Sequence, residues 1–292
     1  MKRVVFLGSG EETVEEIERL RALPEEVEIT LIPFDGTLPY YKRLLPDRIR
    51  QGGAGKGLFC RDKRFYQEHK VRLMTDRGIQ RLNTRRGYLV LDDKTRVEYD
   101  VLVLTDVPGY HAISLKGKNK TGWYGCQTLK MVEDIRQALP WTETAVVQSE
   151  RFDGIRLAGA LLSLGKETIL MVPRIRVLQE GLSADQKGHL EGLVDQGLRV
   201  FADQSVTELL GDQRVKAVRL ATGKILAAEM VVIDGLEPDW SLFMKAGIAL
   251  DPQQGVLVDE KGLTNQPCVY AIGPIAVRPR EQEKNELRNS IF

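Results

Sequence analysis

The sequence contains few of the residues that build metal and redox centres. Among its 292 residues there are three cysteines and three histidines. Cys60, Cys126 and Cys268 lie far apart and form no CxxC pair, so the spacing indicates neither a dithiol centre nor a zinc site. Isolated cysteines of this kind are typical of buried, unreactive thiols. The histidines are equally isolated, and we predict no metal site.

The chain also has almost no net charge and no long hydrophobic run. Lysine and arginine total 42 against 41 aspartate and glutamate, so no overall charge favours nucleic acid or anionic lipid. No apolar run approaches the roughly 20 residues needed to span a bilayer, and Met1–Arg3 lead directly into a strand without a separate leader. The length suggests two domains of ordinary size. We predict a cytoplasmic protein that binds neither nucleic acid nor membrane.

What the chain does contain is one pattern that occurs twice, a strand, a turn, a helix and a second strand. The first copy runs from Val4 to Pro33 and the second from Thr144 to Pro173. This is the layout of a βαβ dinucleotide-binding unit, in which three glycines permit a tight turn, close approach of the backbone to a pyrophosphate, and packing of helix on strand. When the copies are aligned, the glycine positions pair as Gly8 with Ser149, Gly10 with Arg151, and Thr13 with Gly154.

The ligand-binding features of both copies are incomplete. The first copy keeps two of the three glycines, and the second keeps only the last, Gly154. Where an acidic side chain would bind a ribose hydroxyl at the end of the second strand, the copies have Pro33 and Pro173. The sequence therefore predicts the fold more strongly than it predicts the ligand.

Charged side chains in the two turns allow opposed interpretations. Glu11 and Glu12 either complement the helix dipole or occupy the anion site themselves and repel a pyrophosphate. Arg151 either fills the space of a pyrophosphate or swings out to bind it. Arg174 and Arg176 indicate the 2′-phosphate of NADPH or, alternatively, a solvated basic face.

Several further segments follow these units in the order seen in one group of flavoproteins. They are Pro39–Pro46, Tyr99–Thr105, Gln127–Ile135, Gly235–Asp239, Gly255–Asp259 and Val269–Gly273. With these segments, almost the entire chain resembles the pyridine nucleotide-disulfide oxidoreductase superfamily, and within it the NADH:rubredoxin reductases and the amino-terminal part of the assimilatory nitrite reductase large subunit.

The resemblance implies an α/β fold with two Rossmann-like, three-layer dinucleotide-binding domains, one inserted into the other. Residues 1–112 plus 254–292 would form a discontinuous FAD-type domain, 113–142 a linker, and 143–253 an NAD(P)-type domain. The family's usual carboxy-terminal interface domain has no counterpart in the sequence, so we expect its dimer contact to be absent.

The resemblance also implies an FAD-dependent NAD(P)H oxidoreductase that passes electrons to a small redox protein. Lys42 and Arg43 are the candidate catalytic residues, because a cation beside the flavin ring would stabilise the negative charge of its reduced form. The candidate FAD contacts are Gly8, Gly10, Thr13, Tyr41, Lys42, Arg43, Thr105 and Gly273. The candidate NAD(P) contacts are Gly154, Arg174 and Gly235.

Two further departures from the family favour an alternative function. The family's alanine-threonine-glycine turn corresponds here to Leu104–Asp106, and its glycine-aspartate pair to Gly273–Pro274. Proline supplies neither the carboxylate nor a backbone N–H. The alternative is a cofactor-poor, non-catalytic family member that acts as a binding or assembly subunit beside an oxidoreductase.

Residues 52–57 are rich in glycine but lack the hydroxyl residue of a phosphate-binding loop, so we interpret them as a connection. A second group of basic residues indicates either a docking patch for an acidic partner or scattered solvated charges. Its members are Arg85, Arg86, Lys116, Lys118 and Lys120.

Overall fold

The computed structural model describes residues 1–50, 57–111, 115–251 and 254–278. Most of the glycine-rich connection and all of the tail after Arg278 lie outside the described residues. In chain order the strands are β1 (Lys2–Leu7), β2 (Val27–Ile32), β3 (Val71–Leu73), β4 (Ile79–Asn83), β5 (Tyr88–Leu91), β6 (Arg96–Glu98), β7 (Val101–Leu104), β8 (Tyr110–His111), β9 (Trp123–Tyr124), β10 (Thr144–Gln148), β11 (Glu167–Val172), β12 (Arg199–Ala202), β13 (Val206–Leu210), β14 (Ala217–Leu220), β15 (Ile225–Ala227), β16 (Met230–Ile233), β17 (Glu237–Pro238), β18 (Leu250–Asp251), β19 (Gly255–Leu257), β20 (Val269–Ala271) and β21 (Ala276–Val277).

The helices of the described chain connect these strands. They are α1 (Glu12–Arg21), α2 (Leu45–Arg48), α3 (Lys63–Glu68), α4 (Leu129–Ala138), α5 (Phe152–Ser163), α6 (Ile175–Gly181), α7 (Ala184–Asp195) and α8 (Ser241–Lys245), with short 3-10 segments at Lys42–Leu44, Leu139–Trp141 and Gly273–Ile275. Within the described ranges, every helix is too short or too polar to cross a bilayer.

The chain divides into two compact units. The first comprises residues 1–41, 57–110 and the described part of 238–292, and the second comprises 111–237 with 42–56, as far as these are described. The first unit is therefore discontinuous in sequence. The more detailed domain limits given above remain a prediction.

The first unit is built on a parallel sheet with the strand order β3-β2-β1-β7-β20. Alternate residues of β1 face opposite sides of the sheet. Val4 and Phe6 pack on one side with Ile17 of α1, whereas Val5 and Leu7 belong to the cluster on the other side. Both faces are covered, which is why β1 and β7 are apolar runs rather than alternating strands.

The second unit repeats this arrangement with the order β12-β11-β10-β16-β9, again all parallel. Helix α5 crosses from β10 to β11 and buries Leu157, Ala158 and Leu161. These positions recur at helical spacing, so one face of α5 is continuous and apolar. The predicted α/β class with two Rossmann-like sheets is confirmed.

Smaller sheets extend each unit. In the first unit, β5 and β6 form an antiparallel hairpin, and β4 pairs with the other side of β5. In the second unit β13, β14 and β15 form an antiparallel sheet. Strands β18, β19 and β21 form a small mixed sheet in the first unit.

Candidate functional site

The first candidate site is the first turn, residues 8–11, between the carboxyl end of β1 and the start of α1. Gly8 has φ +121°, and a Cβ there would lie 2.5 Å from Cβ of Asp106. A Cβ on Gly10 would lie 2.4 Å from the carbonyl oxygen of Thr105. Real Cβ atoms do not approach other atoms this closely. Both positions must therefore be glycine, because Thr105 and Asp106, which follow β7, pack directly against them.

Thr13 stands at the position of the missing third glycine, and it is buried. Its Oγ1 donates to Oγ1 of Thr105 at 2.9 Å, and that hydroxyl in turn donates to the carbonyl oxygen of Leu7 at 3.2 Å. The hydroxyl chain ties α1 to the ends of β1 and β7. Thr13 and Thr105, both predicted to contact FAD, therefore contact each other.

Glu12 directs its carboxylate into the space between the first turn and Gly273. Its Oε2 would be 2.8 Å from a Cβ on Gly10, and its Cδ would be 2.5 Å from a Cβ on Gly273. Oε2 is buried and accepts no hydrogen bond from the described residues. Of the two interpretations of the paired acids, this position matches the one in which the protein's own carboxylate occupies the anion site.

The surroundings of Glu12 oppose its ionisation. Burial raises the pKa of the Glu12 carboxyl above its ordinary value, and the nearby negative charges of Glu11, Glu15 and Asp106 raise it further. A hydrogen bond from its own backbone N–H opposes these effects in part. A second anion in this space would add to an already unfavourable charge.

Asp35 is a residue of this site that the sequence analysis missed. It follows β2 by three residues, two beyond the Pro33 that was compared with the family's acidic position. Its carboxylate accepts hydrogen bonds from Ser9 Oγ at 3.0 Å and from Tyr40 OH at 2.9 Å, and also from the backbone and hydroxyl of Thr37. The acidic side chain after β2 is thus present, but protein groups satisfy it.

The candidates for the flavin ring fall in two different units. Tyr41 belongs to the first unit, where its backbone N–H donates to Leu58 at 3.0 Å. Lys42 and Arg43 begin the second unit, and the carbonyl oxygen of Arg43 accepts a hydrogen bond from Arg156 at 2.7 Å. All three residues interact with other residues of the protein.

The second candidate site is the second turn, residues 149–151, between β10 and α5. Ser149 replaces the first glycine, and its Oγ would lie 2.2 Å from a Cβ on Gly154. Gly154 is therefore needed to make room for Ser149. The same hydroxyl donates to Oδ2 of Asp234 at 2.7 Å and accepts from the backbone N–H of Arg151 at 3.0 Å.

Arg151 turns back onto the protein and pairs with Asp234. Its Nε donates to Oδ2 at 3.2 Å, and a second bond joins its NH2 group to Oδ1. The Asp234 side chain is only 1% exposed, whereas that of Arg151 is 59% exposed. Cys126 lies beside the same carboxylate, 3.6 Å from Oδ1, and burial together with Asp234 raises the pKa of its thiol.

The other candidates for NAD(P) are distributed around this turn. Arg174 forms a two-pronged ion pair with Glu150, with Nε 2.8 Å from Oε1 and NH2 2.5 Å from Oε2. Gly235 has φ +97° and open space at its Cβ position. Asp234, which precedes it, was not predicted as a site residue. In the described ranges, no group of three or more histidine, cysteine or acidic side chains is placed to bind a metal.

Comparison with known proteins identifies the family. The sequence profile described as pyridine nucleotide-disulphide oxidoreductase matches residues 2–288. The chain belongs to this family. Its NAD(P)H-linked relatives include the nitrite reductase [NAD(P)H] of Bacillus subtilis, at 25% identity over 94% of this chain and 34% of the relative.

Other family members show the same partial coverage. The assimilatory nitrate reductase electron transfer subunit of Bacillus subtilis is 23% identical over 94% of this chain and 36% of its own length. The ferredoxin reductase component of the chlorobenzene dioxygenase of Cupriavidus sp. is 27% identical over 94% of this chain and 67% of its own length. This chain thus spans about a third of the two Bacillus proteins.

Solved structures of the family have the same fold. The ferredoxin reductase of the CYP199A2 system from Rhodopseudomonas palustris gives a TM-score of 0.84 at 24% identity, over 97% of this chain and 70% of that one. Putidaredoxin reductase, solved in a covalent complex with putidaredoxin, gives 0.83 at 23% identity, over 97% and 69%. These likenesses establish the fold that the sequence predicted.

Proposed function

We propose that this protein is a cofactor-poor member of the family that acts as a binding or assembly subunit beside an oxidoreductase. The observation that carries the proposal is the position of the Glu12 carboxylate against Gly10 and Gly273. The family binds FAD and NAD(P)H, but the residues present here do not fit a pyrophosphate at the first turn as they stand.

The electrostatic balance at the first turn supports this proposal. Two like charges about 4 Å apart repel each other by about 4 kcal/mol at an effective dielectric constant of about 20. The amino terminus of a helix favours an anion by only about 0.3–1 kcal/mol. A pyrophosphate at the start of α1 would therefore first have to displace or neutralise Glu12.

The second turn supports it independently. Arg151 is held by the buried carboxylate of Asp234, and Arg174 is held by Glu150, so the cations that would attract a nicotinamide dinucleotide are already paired. Ser149 and Arg151 also place side chains where the family has glycines. Hydride or electron transfer through either turn is therefore no part of the proposed function.

The partner in this proposal is an oxidoreductase subunit. One relative is named as an electron transfer subunit of assimilatory nitrate reductase, and another was solved with its putidaredoxin partner. A degenerate copy of such a scaffold could retain the docking surface after losing the cofactors. The cytoplasmic location stays a prediction.

A second candidate function is the FAD-dependent NAD(P)H oxidoreductase that passes electrons to a small redox acceptor. It is favoured by the match of the family profile to nearly the whole chain and by the ferredoxin reductases among its relatives. When bound, FAD would supply hydride acceptance and single-electron transfer. Lys42 and Arg43 would then stabilise negative charge, and the glycines of the first turn would hold the phosphates.

The visible spectrum of the purified protein separates the two functions. The cofactor-poor subunit is colourless and takes up no added FAD. A yellow protein whose visible band bleaches on addition of NADH or NADPH would instead establish the reductase. A flavin that binds without bleaching would also contradict the first proposal, because it would require an open first turn.

A further inference from the structure

A cavity of about 790 Å³ lies in the first unit, bordered by the β4-β5 hairpin and by α8. This volume is within the range of small-molecule sites. The cavity shares no residue with the first turn. Its lining consists of Gln80, Arg81, Leu82, Asn83, Thr84, Arg85, Val90, Lys94, Leu242, Lys245, Ala246, Gly247 and Gln266.

The charges that line this cationic cavity are all positive. Arg81, Arg85, Lys94 and Lys245 contribute four cations, and the lining includes no carboxylate. Among the described residues, none of these four side chains forms an ion pair. Arginines nearby in the sequence behave differently, since Arg77 pairs with Asp93 at 3.3 Å and Arg96 pairs with Glu98 at 2.9 Å.

Two of the cations are held in position by neutral partners. Lys94 Nζ donates to Oε1 of Gln80 at 3.0 Å, and the Arg81 guanidinium lies 6.0 Å from the centre of the Tyr88 ring. Such contacts restrict the side chains without cancelling their charge. The four cations of a protein with net charge +1 thus concentrate positive potential on one concave surface.

The rest of the wall is fixed and partly apolar. Gln266 Nε2 donates to the carbonyl oxygen of Gly247 at 2.6 Å, and its Oε1 accepts from the buried Thr84 hydroxyl at 2.9 Å. Leu82, Val90, Leu242 and Ala246 supply apolar contact. A ligand suited to this wall has several negative charges at one end and a body that buries apolar surface.

We propose that the cationic cavity binds a small organic molecule that carries two or more phosphate groups. Phosphate oxygens are the natural partners of clustered arginine and lysine, because charge-assisted hydrogen bonds to them are strong and directional. The site goes beyond the proposed function and does not depend on it. It would give a cofactor-poor protein a ligand at a surface distinct from either turn.

The test uses calorimetric titration of the full chain with ADP and with inorganic pyrophosphate at low salt. The matched variants are Arg85→Gln with Lys245→Gln, whose exposed side chains make no hydrogen bonds among the described residues, and Arg72→Gln, an exposed cation on β3 outside the cavity. We expect the double variant to bind both probes about tenfold or more weakly and Arg72→Gln to bind as wild type does. ADP should bind more tightly than pyrophosphate, and added salt should weaken both.

Three outcomes would overturn the proposal. Wild-type protein that binds neither probe has no such site. Binding that persists in the double variant places the phosphates elsewhere, including at the first turn, and this result is distinct from any result of the FAD titration. If pyrophosphate binds as tightly as ADP, the organic part of the ligand contributes nothing to binding, which contradicts the proposal. Equal thermal unfolding of the variants and wild type confirms that folding is unchanged.

Discussion

Glu12 lies against Gly273, so that a Cβ added to Gly273 would stand 2.5 Å from Cδ of the Glu12 side chain. The two residues are far apart in sequence, and they meet because β1 and β20 flank β7 in the same parallel sheet. At the carboxyl ends of these strands, family members have a glycine-aspartate pair near the flavin, whereas this chain has Gly273–Pro274. In this chain the carboxylate beside Gly273 is therefore that of Glu12 on α1, and the segment after β20 supplies none.

Ionisation of Glu12 should lower stability. Because its folded-state pKa is raised, the folded protein holds the proton more tightly than the unfolded chain, and stability falls as pH rises from the ordinary glutamate range of about 4.3 through the raised value. Glu12→Gln removes this titration. We expect the thermal stability of the variant, relative to wild type, to increase over that window and then to level off. A difference that is constant from pH 4 to pH 8 would contradict the prediction.

Gly8 should tolerate no side chain. Gly8→Ala places a Cβ 2.5 Å from Asp106 at a φ of +121°, so we expect a loss of about 2–4 kcal/mol in the free energy of unfolding. The control is Gly188→Ala in α7, where the Cβ meets open space and alanine should stabilise the helix by about 0.5–1 kcal/mol. Urea unfolding measures both. Equal stability of the two variants would show that the contact with Asp106 is not tight.

The ion pair of the second turn should matter for stability. Among the described residues, Arg151→Ala leaves Ser149, Gln127 and Cys126 as the hydrogen-bond partners of the buried Asp234 carboxylate. We expect a loss of about 2 kcal/mol in the free energy of unfolding, after allowance for the solvent that reaches the guanidinium. Adding Asp234→Asn should restore part of the loss, because no buried charge remains.

Arg174→Ala is the matched control for this ion pair. Its exposed pair with Glu150 should contribute little, so its thermal unfolding should resemble that of wild type. If Arg151→Ala unfolds at the same temperature as Arg174→Ala, the Asp234 carboxylate is not dependent on Arg151.

The fold could be predicted from local pattern because the strand, turn and helix of each unit are contiguous in the sequence. Gly8, Gly10 and Gly154 mark the two turns, and the apolar runs of β1 and β7 indicate a sheet covered on both faces. The sequence also marked Glu11, Glu12 and Arg151 as charged residues of the two turns, and it left two opposed interpretations open for each turn.

The partners of those residues could not be predicted in the same way. Arg151 and Asp234 are 83 positions apart, and they meet only because β10 and β16 are neighbours in the folded sheet. Asp35 was missed because Pro33 occupies the position at which an acidic residue was sought. Tyr41 ends the first segment of the first unit, and Lys42 and Arg43 belong to the second unit, a boundary that no local pattern marks.

In the proposed function the Glu12 carboxylate keeps FAD out of the first turn, and titration of FAD into wild type, Glu12→Ala and Glu15→Ala is the most direct test. Glu15 is an exposed acid one turn further along the same helix, so its removal changes the net charge equally. Flavin fluorescence should be unquenched by wild type and by Glu15→Ala, and quenched by Glu12→Ala with an affinity at least about tenfold higher. Equal FAD affinity of wild type and Glu12→Ala would contradict the account.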